Sequence, residues 1–324
     1  MRQNIMNIPI YNNQAFDEFD DLAENMRLWN VEIQKLETGN STSFLRQLLL
    51  QETLILNAIF PGITHQTGDT PPGITFAFYT GSTSGLVFQK REVAQNELMI
   101  FSDRDEADVV TRGSQNEVFA ISLPEKELRA RLEENSSFER QRFTLPNQLS
   151  FLKTDAKAKL HLFFQRCIQT VENHPHYLLD NTFLTAMQEN IFDAILEIVD
   201  PVDLQSPFVT HIPKRQLWKR IDEYLEANLD TPIKVRDLTL ATGVSSRTLL
   251  RLFYERFGIS PKMYTTKLRL NKIKHILRVP SSHPIKISDI ANSWGFWHMG
   301  QFAADYISFY SMSYRLTPYA IGPD

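Results

Sequence analysis

A short helical stretch, a glycine corner and a second amphipathic helix occur in that order twice in the last third of this 324-residue chain. In the first copy, residues 235–241 turn Val235, Leu238 and Ala241 to one side, and residues 246–257 bury Leu249, Leu252 and Phe253. Between them stand Thr242-Gly243-Val244-Ser245: the glycine makes the tight turn, the valine fills the corner and the serine caps the next helix. Gly258 stops that helix, and Ser260-Pro261 starts the next. In the second copy, residues 286–293 carry Ile287, Ile290 and Ala291 inward, Trp294-Gly295-Phe296 makes the corner, and residues 298–306 turn Phe302 and Tyr306 inward. Gly243 and Gly295 are 52 residues apart, and Leu249 and Phe302 are 53 apart. Two helices joined by so short a corner must cross steeply, which leaves the second free to lie in the major groove of DNA. Residues 261–278 read as one long connecting helix, with Leu268, Leu270, Ile273, Ile276 and Leu277 inward and Lys267, Arg269, Lys272 and Lys274 outside. Joined this way, the two units would reach adjacent major grooves about 34 Å apart on one face of a duplex.

Charge is segregated in the same place. Residues 214–324 hold 17 Lys+Arg against 9 Asp+Glu, and residues 1–213 hold 17 against 29, so a tail of +8 follows a body of −12. A basic module is drawn to polyanions and an acidic one is not. The single Cys167 excludes a disulfide framework and a cysteine-based zinc site, which suits a reducing compartment. Asp17, Glu18, Asp20 and Asp21 do not fit a basic-then-apolar leader, and the most apolar run, 44–60, is broken by Arg46 and Glu52. The expectation is a cytoplasmic protein with no membrane attachment.

The acidic body changes pattern along its length. Residues 1–40 read as a leader with some helix. Short β-type runs follow at 43–50, 53–59, 74–80, 86–89, 97–101 and 118–123, broken by Pro61-Gly62, Pro71-Pro72-Gly73, Gly81 and Gly85. That spacing predicts a small antiparallel barrel or sandwich. After Pro124 the period turns helical at 125–134, 154–172 and 181–199. The last two form a helical hairpin that either packs on the barrel or makes a dimer interface. Pro201, Pro207 and Pro213 mark a linker. The expected division is a β-domain at 1–150, a hairpin at 151–200, a linker at 201–213 and a helical domain at 214–324, with its two units at 235–258 and 286–310.

The run Val235-x2-Leu238-x2-Ala241-x-Gly243-Val244-Ser245-x-Arg247-x-Leu249-x-Arg251-x-Phe253, then Gly258-x-Ser260-Pro261, resembles the AraC/XylS family of transcription regulators. So does Ile287-x2-Ile290-Ala291-x3-Gly295-Phe296-x5-Phe302. The resemblance implies an α+β chain: an N-terminal small β-barrel (cupin-like) that senses a small-molecule effector, a helical hairpin over 154–199 that forms a homodimer, and an all-α domain of two helix-turn-helix units joined by a long helix. It implies a sequence-specific regulator, an activator before a repressor, whose partners are double-stranded DNA and RNA polymerase. The residues themselves carry no catalytic signature and no clustered metal ligands, so no enzyme activity, cofactor or metal is expected.

Carried over by position, Arg247, Leu250 and Arg251 face bases in the first groove, where an arginine can pair bidentately with guanine O6 and N7. The matching face of the second unit is His298, Met299, Gln301 and Ala304, of which only His298 and Gln301 can hydrogen-bond a base edge. Lys262, Lys267, Lys272 and Lys274, with the Ser245 and Thr248 hydroxyls, are assigned to phosphate. Where the family closes its second unit with a glycine and then a proline, this sequence has Ser311 and Tyr314.

The other candidates have plain structural explanations beside the functional ones. Trp294, Phe296 and Trp297 read as corner and core residues before a base-stacking platform, with Trp297 at most brushing the DNA backbone. His174-Pro175-His176 reads as a hairpin turn, and His65 stands alone, without the ligands a metal enzyme needs. Asp103, Asp105, Glu106 and Asp108 read as a solvated loop before a cation site. Phe76, Phe78, Phe88 and Phe101 either fill the core or line a ligand pocket in which Arg46 or Arg91 meets an anionic group. Two rival functions remain at this stage: a regulator governed by a protein partner, and a barrel enzyme with a DNA-binding appendage.

Overall fold

The computed structural model describes residues 9–39, 42–80, 85–94, 97–102, 106–134, 148–151, 156–198, 212–279 and 286–310. The chain folds into two compact units. The first comprises Met1–Ile33, Thr42–Pro61 and Gln66–Val209; the second comprises Gln34–Ser41, Gly62–His65 and Thr210–Asp324.

The body contains β1 (Ile10–Phe16), α1 (Phe19–Asn25), β2 (Asn30–Lys35), β3 (Ser43–Leu50), β4 (Thr53–Pro61), β5 (Thr64–Asp69), β6 (Ile74–Thr80), β7 (Val87–Phe88), β8 (Arg91–Glu92), β9 (Glu97–Phe101), β10 (Glu106–Thr111) and β11 (Gln115–Leu123). Then come α2 (Glu125–Glu134), β12 (Gln148–Phe151), α3 (Ala156–Asn173), a 3-10 turn (Pro175–Leu179) and α4 (Asn181–Ile198). These strands do not close into the expected barrel. They form a seven-stranded sheet ordered β1-β3-β4-β11-β6-β9-β12 and a five-stranded sheet ordered β2-β5-β10-β7-β8. The stretch read as a leader supplies an edge strand: β1 pairs antiparallel with β3 from Ile10 opposite Leu49 to Phe16 opposite Ser43. Asn12, Asn13 and Gln14 disguise it, because such residues disfavour strands in isolation; pairing along the whole of β3 outweighs that preference.

Strand alternation separates two cores on the faces of the larger sheet. Phe76 and Phe78 of β6, Leu98 and Ile100 of β9, and Phe119 and Ile121 of β11 join one cluster with Leu160, Phe164, Ile168, Ile191 and Phe192 of α3 and α4. Ala77 and Tyr79, Met99 and Phe101, and Val118 and Ala120 face the other way, with Phe60, Phe88 and Leu22. A period of two in the sequence thus becomes two separate hydrophobic layers. Each fully buried Phe or Leu contributes about 1.5–3 kcal/mol to holding these layers together.

The second unit contains α5 (Ile212–Asn228), α6 (Val235–Thr242), α7 (Ser246–Phe257), α8 (Pro261–Arg278), α9 (Ile287–Ser293) and α10 (Met299–Tyr310). Trp218, Phe253, Phe257 and Tyr264 pack ring against ring at its first end, with Phe257 and Tyr264 stacked at 4.1 Å. At the other end Leu270 and Ile273 of α8 meet Ile290, Ala291, Phe302, Phe309 and Tyr310. The connecting helix is buried on almost every side, at Tyr264, Lys267, Leu268, Arg269, Leu270, Ile273 and Lys274. A helix buried all round is an internal spine, not a surface strut.

Candidate nucleic-acid interface

Both glycine corners take the left-handed backbone that the sequence requires of them. Gly243 has φ 73° and Gly295 φ 80°. A Cβ on Gly295 would also meet the Pro232 ring at 3.3 Å, so two independent constraints hold that position to glycine. Behind the first corner, Ser245 accepts from the Thr248 amide at 3.2 Å and caps α7.

The helices that follow the corners, α7 and α10, are both 12 residues long and begin 53 positions apart. Arg247, Leu250 and Arg251 lie on the exposed side of α7, opposite buried Leu249, Leu252 and Phe253. The Arg251 guanidinium lies 3.6 Å from Glu255, one turn on, in an exposed pair. The same offset puts Gly300 where Arg247 stands and Ala304 where Arg251 stands. Of the face expected for the second unit, His298 and Ala304 are exposed, and Met299 packs partly against the Phe302 cluster. Gln301 is exposed, but its amide nitrogen donates to Asp305 at 2.7 Å.

Trp297 does not join the core. It is 66% exposed, whereas Trp294 and Phe296 pack on the second-unit core. Trp294 and Phe296 thus fill the corner as expected, and Trp297 stands exposed just before α10.

The phosphate assignments divide. Lys262 is exposed and Lys272 half-buried. Ser245 and Thr248 are spent largely on each other, their hydroxyl oxygens 3.0 Å apart. Lys267 and Lys274, read as outward, are only 8% and 9% exposed. Their ammonium groups lie over Phe309 at 4.6 Å and Tyr310 at 4.7 Å, because α10 runs to Tyr310 and covers that side of α8. Burial pushes the Lys267 ammonium below its usual range, with Glu37 opposing in part. Arg269, also read as outward, turns in and donates to the carbonyls of Leu229 and Thr231.

Sequence reasoning missed that 34–41 and 62–65 belong to this unit. The Leu36 amide donates to the Ile63 carbonyl at 2.8 Å, and the Ile63 amide to Glu37 at 3.0 Å. Asn271 of α8 then donates to the Lys35 carbonyl at 2.9 Å and accepts from the Tyr310 hydroxyl at 2.8 Å. The Gly39 amide reaches the Phe309 carbonyl at 3.3 Å, and Lys35 lies 5.6 Å from the rings of Phe309 and Tyr310. No local pattern announces the contacts of Lys35 and Gly39 with α8 and α10, since they join residues more than 200 positions apart.

In the body, the residues read as pocket-lining do not converge. Phe76 and Phe78 face the helices, while Phe88 and Phe101 meet edge-on at 4.9 Å in the other core. Arg46 lies 3.9 Å from Glu172 of α3, and Arg91 pairs with buried Glu97 at 2.6 Å. Glu106 and Asp108 are strand residues of β10, not loop; Asp103 and Asp105 lie outside the described residues. So do Ser311 and Tyr314, and most of the expected linker. His174 and His176 pack on Tyr177 at the 3-10 turn, and among the described residues no cluster could hold a metal ion. No described helix is long and apolar enough to cross a membrane.

The family model described as a helix-turn-helix domain matches residues 238–316. The chain is similar to the XylDLEGF operon transcriptional activator 1 of Pseudomonas putida, at 25% identity over 227 residues, 68% of this chain and 66% of that protein. It therefore spans just under two thirds of that relative's length. The HTH-type transcriptional regulator GbdR of Pseudomonas aeruginosa is 32% identical over 114 residues, 35% of this chain and 29% of its own. A solved transcriptional regulator of the AraC-type DNA-binding class from Chromobacterium violaceum is 28% identical, covering 31% of this chain and 86% of its own, with a TM-score of 0.28. These relatives are transcription regulators, not enzymes.

Proposed function

We propose that this chain, whose C-terminal domain is a helix-turn-helix domain of the AraC/XylS type, is a sequence-specific regulator of transcription acting in the cytoplasm. The observation that carries the reading is the pair of 12-residue helices behind glycine corners, the first with Arg247 and Arg251 on its exposed side. An arginine so placed can discriminate guanine by about 1–3 kcal/mol, and exposed Lys262 adds sequence-independent attraction. Activation is supported by the names of the Pseudomonas putida relatives, which are operon transcriptional activators, and RNA polymerase is the partner proposed with it. A homodimer through α3 and α4 is supported by exposed Leu162 and Leu179 on and beside that hairpin.

The body is proposed to set the activity of the DNA-binding unit in response to a small molecule. A protein partner is the second reading. The close edge-on packing of fully buried Phe88 and Phe101 favours it, because a filled interior leaves those rings for stability.

Footprinting with wild type and Arg251→Ala across a salt series tests the reading. Wild type should protect a defined sequence, and the variant should lose preference at one guanine. Equal binding of wild type to all DNA, or unchanged preference in the variant, would refute direct readout by α7.

A further inference from the structure

The two reading helices carry opposite chemistry at equivalent positions. Where α7 has Arg247, Arg251 and Tyr254, α10 has Gly300, Ala304 and Ile307. Guanine presents two acceptors in the major groove and needs two donors to be read. Gly300 and Ala304 supply none, Gln301 spends one of its two amide hydrogens on Asp305 at 2.7 Å, and exposed His298 adds only a single imidazole N–H, so no arginine-like fork is present. α10 does present the methyl of Ala304 and the exposed chain of Ile307, and the exposed indole of Trp297 stands just before its first turn. Packing does not force the small residue at 300: a Cβ added there meets nothing within 4 Å. A small residue on a groove-facing side lets the helix backbone come closer to the base edges.

We propose that the second helix-turn-helix selects thymine through its C5-methyl group, with Trp297 and Ala304 as the specificity-determining residues. This rests on the DNA-binding reading above. Thymine is the base that offers an apolar group in the major groove, and the pairing of apolar side chains with that methyl follows from the geometry of the groove. The two half-sites then differ in kind: guanine under α7, thymine under α10.

The test begins with selection of bound duplexes from random DNA by the full chain. The half-site whose preference Arg251→Ala erases belongs to α7, which identifies the other as belonging to α10. Deoxyuridine then replaces thymine in that other half-site. Wild type should bind about fourfold more weakly for each contacted methyl removed, in line with the burial of one methyl group. Trp297→Ala should blunt this loss and leave the α7 half-site unaffected. Gly300→Arg combined with Ala304→Arg, both on exposed positions, should move the second preference from thymine to guanine. The deoxyuridine step uses unmodified protein, so it does not depend on any variant folding. An unchanged affinity on removing the methyls would overturn the proposal, as would selection of guanine or of no base under wild-type α10. If no sequence is selected in either half, the regulator reading itself fails.

Discussion

His65 Nδ1 lies 3.0 Å from the Tyr264 hydroxyl, although the two residues are 199 positions apart. Both are buried, and His65 also meets Phe257 edge-on at 5.3 Å, next to the stacked Phe257–Tyr264 pair. A residue of β5 thus completes the aromatic core behind α7. His65 and Tyr264 both belong to the second unit, so the pair is internal to it.

Removing that pair should therefore be felt in the C-terminal unit. Tyr264→Phe keeps the ring and deletes the hydroxyl, and should lower unfolding stability by about 1 kcal/mol. The informative measurement is a double-mutant cycle with His65→Ala in urea unfolding. A coupling of about 0.5–1.5 kcal/mol is expected for residues in direct contact. Strict additivity would mean that the bond contributes nothing.

The buried and exposed lysines of α8 should separate in salt titrations of DNA binding. Lys262→Ala should reduce the slope of log K against log salt by about one, the signature of one lost phosphate contact. Lys267→Ala and Lys274→Ala should leave that slope unchanged, since their ammonium groups face Phe309 and Tyr310. A reduced slope in either would place these lysines on DNA after all.

Much of this could be read from the sequence, and the failures share a cause. Helices α2, α7 and α8 and strands β3, β6 and β9 were legible to the residue, because period and punctuation are local: Gly258 closes α7 and Ser260-Pro261 opens α8. The exposed side of α7 that carries Arg247 and Arg251 was legible for the same reason. Lys267, Lys274 and Arg269 were misplaced because their burial depends on α10 and on the Leu229–Thr231 carbonyls, which no window around α8 contains. Strand β1 was missed because its polar residues are stabilised by β3, some 30 positions away. Trp297 was set apart from the two corner aromatics, but the extent of its exposure is visible only once α9 and α10 are packed.

Ser245 has two claims on its hydroxyl, and they can be separated. As the cap of α7 it accepts from the Thr248 amide at 3.2 Å, so Ser245→Ala should cost about 1 kcal/mol of stability. Ser245→Asp should restore the cap, because a carboxylate also accepts from that amide and suits a helix N-terminus. If Ser245 also touches phosphate, the aspartate variant should be stable yet bind DNA poorly, since its charge opposes the backbone. Stability restored together with wild-type affinity would limit Ser245 to capping.

Lys267 should make the fold more stable as the solution becomes more basic. Burial lowers its pKa from the ordinary 10.5, with Glu37 offsetting part of the effect. Between the lowered value and 10.5 the folded chain has released this proton while the unfolded chain still holds it. Stability rises with pH wherever the unfolded state binds more protons, so this residue contributes a rising limb across that window. Below the lowered value both states are protonated, and the burial of the charge is a constant cost. Lys267→Met replaces the ammonium with an apolar group of similar length over the Phe309 ring. The variant should be at least as stable as wild type at neutral pH, and its urea midpoint should lose the rising limb. A variant clearly less stable at neutral pH, with the pH dependence retained, would show that the cation–ring contact at 4.6 Å outweighs the cost of burying the charge.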